Sequence, residues 1–183
     1  MNRTNGRIAE ESKKKLAAAL YELMKVYKYS EITITQLAQE AKLSRKTFYR
    51  LFEDKDGVLQ ILFDGLYYQC FAELKTRNVK RYWEFVQLYF DFWESRKEIL
   101  FLLNKNALLP RLFDYVYHHA ESIFIAIRTL ETAGKFSETL PYLLAYSVGG
   151  MHSMMIKWVE SGMTVPASVL VNQLKEGFRS PEL

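Results

Sequence analysis

The stretch from Thr33 to Lys55, TITQLAQEAKLSRKTFYRLFEDK, reads as a short helix, a tight turn and a second short helix. Thr33 and Gln36 stand at capping-box spacing, in which a hydroxyl and a side-chain amide satisfy free backbone N–H groups at a helix start. Leu37, Ala38 and Ala41 then share one apolar face at helical spacing. Ser44 is placed to cap the second helix, whose first residues are Arg45, Lys46 and Thr47. Its buried side is expected to be Phe48, Leu51 and Phe52, which leaves polar and cationic groups at the leading end. A helix-turn-helix directs such residues at base edges in the major groove of DNA.

A generic helical hairpin with solvated charges is the competing reading of the bare pattern. Three features favour DNA over it. Tyr49 lies one helical step behind the charged end, where a phenol reaches a phosphate. Lys55 follows Asp54, a candidate cap for a further helix, so its ammonium and nearby N–H groups can meet a second phosphate. A long amphipathic segment precedes the motif. The candidate DNA contacts are therefore Thr33, Thr35, Gln36, Ser44, Arg45, Lys46, Thr47, Tyr49 and Lys55.

The segment SRKTFYRLFEDKDGVL, preceded by ITITQLAQEAKL, resembles the DNA-binding signature of TetR/AcrR-type transcriptional regulators. The resemblance covers about residues 8 to 60, roughly a third of the chain, with its core at Thr47-Phe48-Tyr49-Arg50-Leu51-Phe52-Glu53-Asp54-Lys55. Two positions depart from it. Lys42 stands in the turn where such regulators usually have Gly, and a left-handed Lys costs about 1 kcal/mol relative to Gly. Gly57 stands in the first turn of the next helix, where an acidic residue is common.

Charge is distributed unevenly. Residues 1–57 hold twelve Lys/Arg and eight Asp/Glu, whereas the remainder holds thirteen of each, so the net +4 lies wholly in the proposed DNA-binding third. That asymmetry is the electrostatic footprint of a phosphate-binding face. The chain has 183 residues, 49% of them hydrophobic, enough for a substantial core. No apolar run approaches the roughly 18 residues that span a bilayer. MNRTNGRIAEESKKK lacks the apolar centre of a secretory signal. A single cysteine, Cys70, excludes an internal disulfide, and a cytoplasmic location is expected. Cys70 lies among Tyr67, Tyr68 and Phe71, which favours a buried thiol over a redox sensor.

The expected fold is all-α: a three-helix helix-turn-helix domain over residues 1–54, followed by a helical effector-binding and dimerisation domain over 55–183. Ile8, Ser12, Leu16, Ala19, Leu20, Leu23, Met24 and Tyr27 form the stripe of a first helix ending near Lys28. A long helix is expected from Lys55 to near Arg77. Others are expected over about 79–95, 97–104, 108–132, 138–161 and 166–178, punctuated by Gly134, Pro141, Gly162 and Pro166. Pro110 and Pro141 suit first turns or kinks.

Aromatic residues concentrate in the middle of the chain, and at helical spacing they read first as core. The resemblance implies an effector site in the C-terminal domain, and Trp93, Phe101, Tyr117 and Met151 are its candidate lining. His118, His119 and His152 lack metal-ligand spacing, so neither metal nor cofactor is expected. Tyr142, Tyr146, Gly149, Gly150, Ser153, Ile156 and Lys157, with Val169, Leu170, Gln173 and Leu174, mix aromatic anchors with small residues. An ordinary intramolecular bundle accounts for them. The resemblance implies instead a two-fold homodimer through the last two helices, with Tyr142, Tyr146, Gly150, Ser153, Ile156, Leu170 and Leu174 at the interface. Two copies would address two half-sites of a pseudo-palindromic double-stranded operator.

Three functions fit. The first is a repressor released from DNA by a small apolar effector. The second is the same architecture acting as an activator, or governed by a protein partner. The third is a helical ligand carrier that no longer binds DNA, against which the intact Arg45, Lys46, Thr47, Tyr49 and Lys55 argue. No nucleophile-base pair, phosphate loop or carboxylate constellation marks an enzyme, and no membrane association is expected.

Overall fold

The computed structural model describes residues 3–127 and 138–179, which are helical with no strand among the described residues. α1 is Arg3–Val26, and a single 3-10 turn follows at Tyr29–Glu31. α2 is Ile34–Glu40, α3 is Arg45–Leu51 and α4 is Lys55–Thr76. Then come α5 (Tyr82–Glu94), α6 (Lys97–Lys105), α7 (Leu109–Ile127), α8 (Leu140–Glu160) and α9 (Ala167–Gly177). The helix expected over 108–132 is thus seen to Ile127; its last turn and Gly134 lie outside the described residues. Pro110 sits in the first turn of α7 and Pro141 in that of α8, where the missing N–H costs nothing.

The all-α expectation holds, and the helix ends explain themselves. Four helices close in the same way. The N–H of the second residue past the cap bonds to the carbonyl five residues back: Leu43 to Ala38 O at 2.9 Å, Val79 to Leu74 O at 3.2 Å, Leu108 to Leu103 O at 2.8 Å and Met163 to Trp158 O at 2.8 Å. Such closures place one residue in the left-handed region. Gly162 fills that place once, and Lys42, Asn78 and Ala107 fill it elsewhere at φ 54°, 50° and 54°.

The chain divides into two compact units, Met1–Tyr68 and Gln69–Leu183. The division falls inside α4 and not at its first residue, because Val58, Leu59 and Phe63 in the first half of α4 are fully buried. In the first unit α1 packs on α2 and α2 on α3. Leu16, Leu20, Met24, Leu37 and Phe48 have no exposed surface there. Ile8 and Tyr27, the outer members of the α1 stripe, are exposed.

In the second unit α5 packs on α9, α7 packs on α8, and α6 touches α5, α7 and α8. Its buried aromatics include Tyr89, Phe90, Phe92, Trp93, Phe113, Tyr115 and Trp158. Arg96 ties α4 to α5: its guanidinium lies 3.8 Å over the Phe92 ring and donates to Glu73 Oε1 at 3.1 Å. No described helix is long and apolar enough to cross a membrane.

Candidate nucleic-acid interface and ligand cavity

The two caps that define the helix-turn-helix form as the spacing predicts. Thr33 Oγ1 accepts from Gln36 N–H at 3.2 Å, while Gln36 Oε1 accepts from Thr33 N–H at 2.9 Å and from the Thr33 hydroxyl at 2.8 Å. Ser44 Oγ accepts from Thr47 N–H at 3.0 Å and pairs with the Thr47 hydroxyl at 3.0 Å. Lys42 takes the left-handed turn position. A fully buried Phe48 then fixes which way α3 faces.

With Phe48 inward, Arg45, Lys46, Tyr49 and Arg50 are exposed on α3. The Tyr49 ring is 52% exposed, edge-on to Phe48 at 5.5 Å between centroids, with the Arg45 guanidinium 5.9 Å from its own centroid. Ser44 and Thr35 are exposed as well, and Thr47 and Gln36 are half-buried. Arg45, Lys46, Tyr49 and Arg50 form one polar, cationic face of α3 suited to a groove and its phosphates.

Lys55 is placed differently from its expected role as a phosphate contact. Its ammonium donates to three backbone carbonyls, Tyr29 O at 2.6 Å, Ser30 O at 3.1 Å and Ile32 O at 3.0 Å, and lies 4.7 Å from the Tyr29 ring centroid. Three donors and three acceptors leave it no N–H to offer a phosphate. Burial lowers its pKa from the usual value and Asp56 opposes that shift. The second and third N–H groups of α4 are engaged as well, since Asp54 Oδ1 accepts from Asp56 N–H at 2.9 Å and Gly57 N–H at 3.1 Å. The Tyr29 hydroxyl bonds to Asp56 Oδ1. Gly57 has a steric reason: a Cβ there would lie 2.8 Å from Phe52 Cδ1.

The second unit holds a cavity of about 120 Å³ between α5, α7 and α8. Tyr82, Phe85 and Tyr89 line one side, Val116 and Ala120 another, and Leu144, Ser147, Val148 and Met151 a third. No charged side chain lines it among the described residues. Of the four candidate effector residues only Met151 borders this space. Trp93 is buried core packed against Phe92 and Tyr89, Phe101 is half-buried elsewhere, and Tyr117 is exposed. Large aromatics fill the space around them and so mark packed core. Cavities arise where small side chains face one another, as Ala120 and Val116 do with Ser147 and Val148.

Along α8, Tyr142, Tyr146, Gly150, Ser153 and Lys157 recur on one exposed face, opposite the buried Met151, Met155, Trp158 and Val159. Ile156, Leu170 and Leu174 are half-buried within the chain. Among the described residues no group of His, Cys, Asp and Glu could hold a metal ion. His152 instead stacks on Phe113 at 3.4 Å, and burial lowers its pKa.

No family model matches the chain. Over 100 residues it is 30% identical to the HTH-type dhaKLM operon transcriptional activator DhaS of Lactococcus lactis subsp. lactis. The match takes in 52% of this chain and 51% of that protein, about half the length of each. The likeness is thus to a helix-turn-helix transcription regulator, in agreement with the exposed cationic helix that the local geometry builds.

The turn Tyr29–Glu31 and its partnership with Lys55 leave little trace in the sequence. The one signal for it was Tyr29 itself, an aromatic residue between two helices that is buried in the fold.

Proposed function

We propose that this protein is a dimeric, sequence-specific DNA-binding transcriptional regulator of the TetR/AcrR type, and a binding protein rather than an enzyme. The observation that carries the reading is the orientation of α3. Phe48 is fully buried while Arg45, Lys46, Tyr49 and Arg50 stand in solvent. A bare helical hairpin has no need to gather its cations at the leading end of one capped helix. A groove-reading helix does.

Regulation runs through the cavity of the second unit, whose described lining carries no charge. A small apolar effector that binds the DNA-incompetent arrangement more tightly would release the operator; equal affinity for both arrangements would shift nothing. The helix α4 belongs to both units and is the natural lever. Release of a repressor is the primary reading. The similarity to DhaS, a transcriptional activator, supports the alternative that this architecture promotes transcription.

The test is selection of bound duplexes from random DNA by the purified protein. An enriched pseudo-palindrome bound by two copies is expected. Removing one cation that neutralises a phosphate should flatten the plot of log affinity against log salt by about 0.9, and Arg45→Ala or Lys46→Ala should alter base preference. A folded protein that enriches no sequence would overturn the reading.

A further inference from the structure

The ammonium of Lys55 is the meeting point of three carbonyls that belong to one short piece of chain. Tyr29, Ser30 and Ile32 lie in and just after the 3-10 turn, and the next residue, Thr33, is the cap from which α2 begins. Carbonyls that converge in a tight turn present their negative ends together, and a cation with three N–H donors is the complement. Tyr29 adds a second tie, because its hydroxyl bonds to Asp56, the residue after Lys55.

The other end of the motif is fastened to the same turn of α4. Phe52, the C-cap of α3, lies so close to Gly57 that a Cβ there would come within 2.8 Å of the ring, which would have to move to admit it. The start of α2 and the end of α3 are therefore both held on residues 55–57. The recognition helix has little freedom to tilt against α4 while these contacts stand.

We propose that Lys55 is a positioning residue for DNA recognition, setting the angle of the α2–α3 pair on α4 by clamping the turn Tyr29–Ile32 rather than by touching phosphate itself. The proposal rests on the DNA-binding reading given above. It separates two roles that a positive charge at this place could fill. A phosphate contact needs the charge and is indifferent to Tyr29. A clamp needs the ammonium's geometry, and it needs Tyr29.

Lys55→Arg and Tyr29→Phe distinguish them in the full chain. Arginine keeps the charge, but its planar fork does not converge on three carbonyls of one turn. At a temperature where each variant is fully folded, operator affinity is measured per active protein across a range of salt. Lys55→Arg should lose at least about tenfold in affinity with the salt slope of the unaltered protein, equivalent to the removal of one charge-assisted hydrogen bond. Tyr29→Phe should lose a smaller amount in the same way. In the absence of DNA, amide exchange in α2 and α3 should quicken in both variants.

Unaltered affinity of Lys55→Arg and Tyr29→Phe would overturn the proposal, as would faster exchange accompanied by unaltered affinity, which is what a purely stabilising contact gives. Failure of the unaltered protein to select any duplex would instead overturn the DNA-binding reading. In that case the exchange measurement alone decides whether the clamp exists: unchanged exchange in Lys55→Arg refutes it, and faster exchange confined to α2 and α3 supports it.

Discussion

Glu94, the last residue of α5, places its carboxylate Oε1 2.9 Å from the backbone N–H of Ala167, the first residue of α9. The cap position of α9 is Pro166, whose side chain can accept nothing, so a residue 73 positions before Ala167 supplies the acceptor. The carboxylate also sits at the positive end of the helix. Glu94→Ala should therefore lower stability by about 1 kcal/mol, the usual worth of a capping acceptor. Urea denaturation reads this directly. An unmoved midpoint would mean that water replaces the carboxylate at no cost.

How far the sequence reveals this fold can be read from its helix ends. The starts of α2 and α3 are legible because Thr33, Gln36 and Ser44 act through side chains at fixed short spacing. Stops are less legible. Gly162 marks the end of α8, but the equivalent places after α2, α4 and α6 belong to Lys42, Asn78 and Ala107, residues that bear a local conformational cost for tertiary closure. Only the family resemblance places Lys42 in its turn. Contacts between distant segments, such as Glu94 with Ala167 or Lys55 with Tyr29, leave no periodic trace at all. The same limit governs the cavity, whose position depends on which helices face each other.

Cys70 sets the alkaline behaviour. It packs against Leu74, Val79 and Leu88, and burial foremost, then Glu73, pushes its thiol up to about 12, with Arg96 opposing. Burial also raises Tyr89, reinforced by Cys70. A folded pKa above the unfolded one means that the neutral group stabilises the fold in full below the ordinary thiol value of 9.0 and that this contribution fades as pH climbs toward 12. Stability should be level near neutrality and fall above pH 9, at up to about 1.4 kcal/mol per pH unit for Cys70. Cys70→Ala should shallow that alkaline limb. An identical pH profile in the variant would show that other groups control it.

The cavity predicts a ligand class. Its described lining residues offer rings, aliphatic groups and a thioether, and Tyr82, Tyr89 and Ser147 are the hydroxyl-bearing residues among them. An ionised ligand would lose its hydration with no countercharge among the described lining residues to replace it. Neutral apolar compounds should raise the melting temperature, and a hundredfold excess over Kd should add about 2.7 kcal/mol of stability. Anionic analogues of the same size should not. Val148→Phe should fill the space and abolish the shift. Compounds that bind yet leave operator affinity untouched at saturation would break the link between cavity and DNA while leaving both sites intact.

The exposed face of α8 can be tested without disturbing the fold of a single chain. Tyr146 is 66% exposed, and a Cβ added at Gly150 meets nothing within 4 Å. Glycine within a helix costs about 1 kcal/mol relative to alanine, so Gly150→Ala should preserve or raise the stability of the isolated chain. A larger side chain at the same place, Gly150→Leu, should fit the monomer equally well but hold a crossing helix of a second copy away. Tyr146→Asp should act more strongly, because burying an unpaired carboxylate costs several kcal/mol against the roughly 8 kcal/mol of a micromolar association. Sedimentation of Gly150→Leu and Tyr146→Asp should show a shift toward monomer, with helical circular dichroism unchanged. A dimer that survives both substitutions would place the interface on another face, and a monomeric parent protein would remove the two-fold reading of the operator altogether.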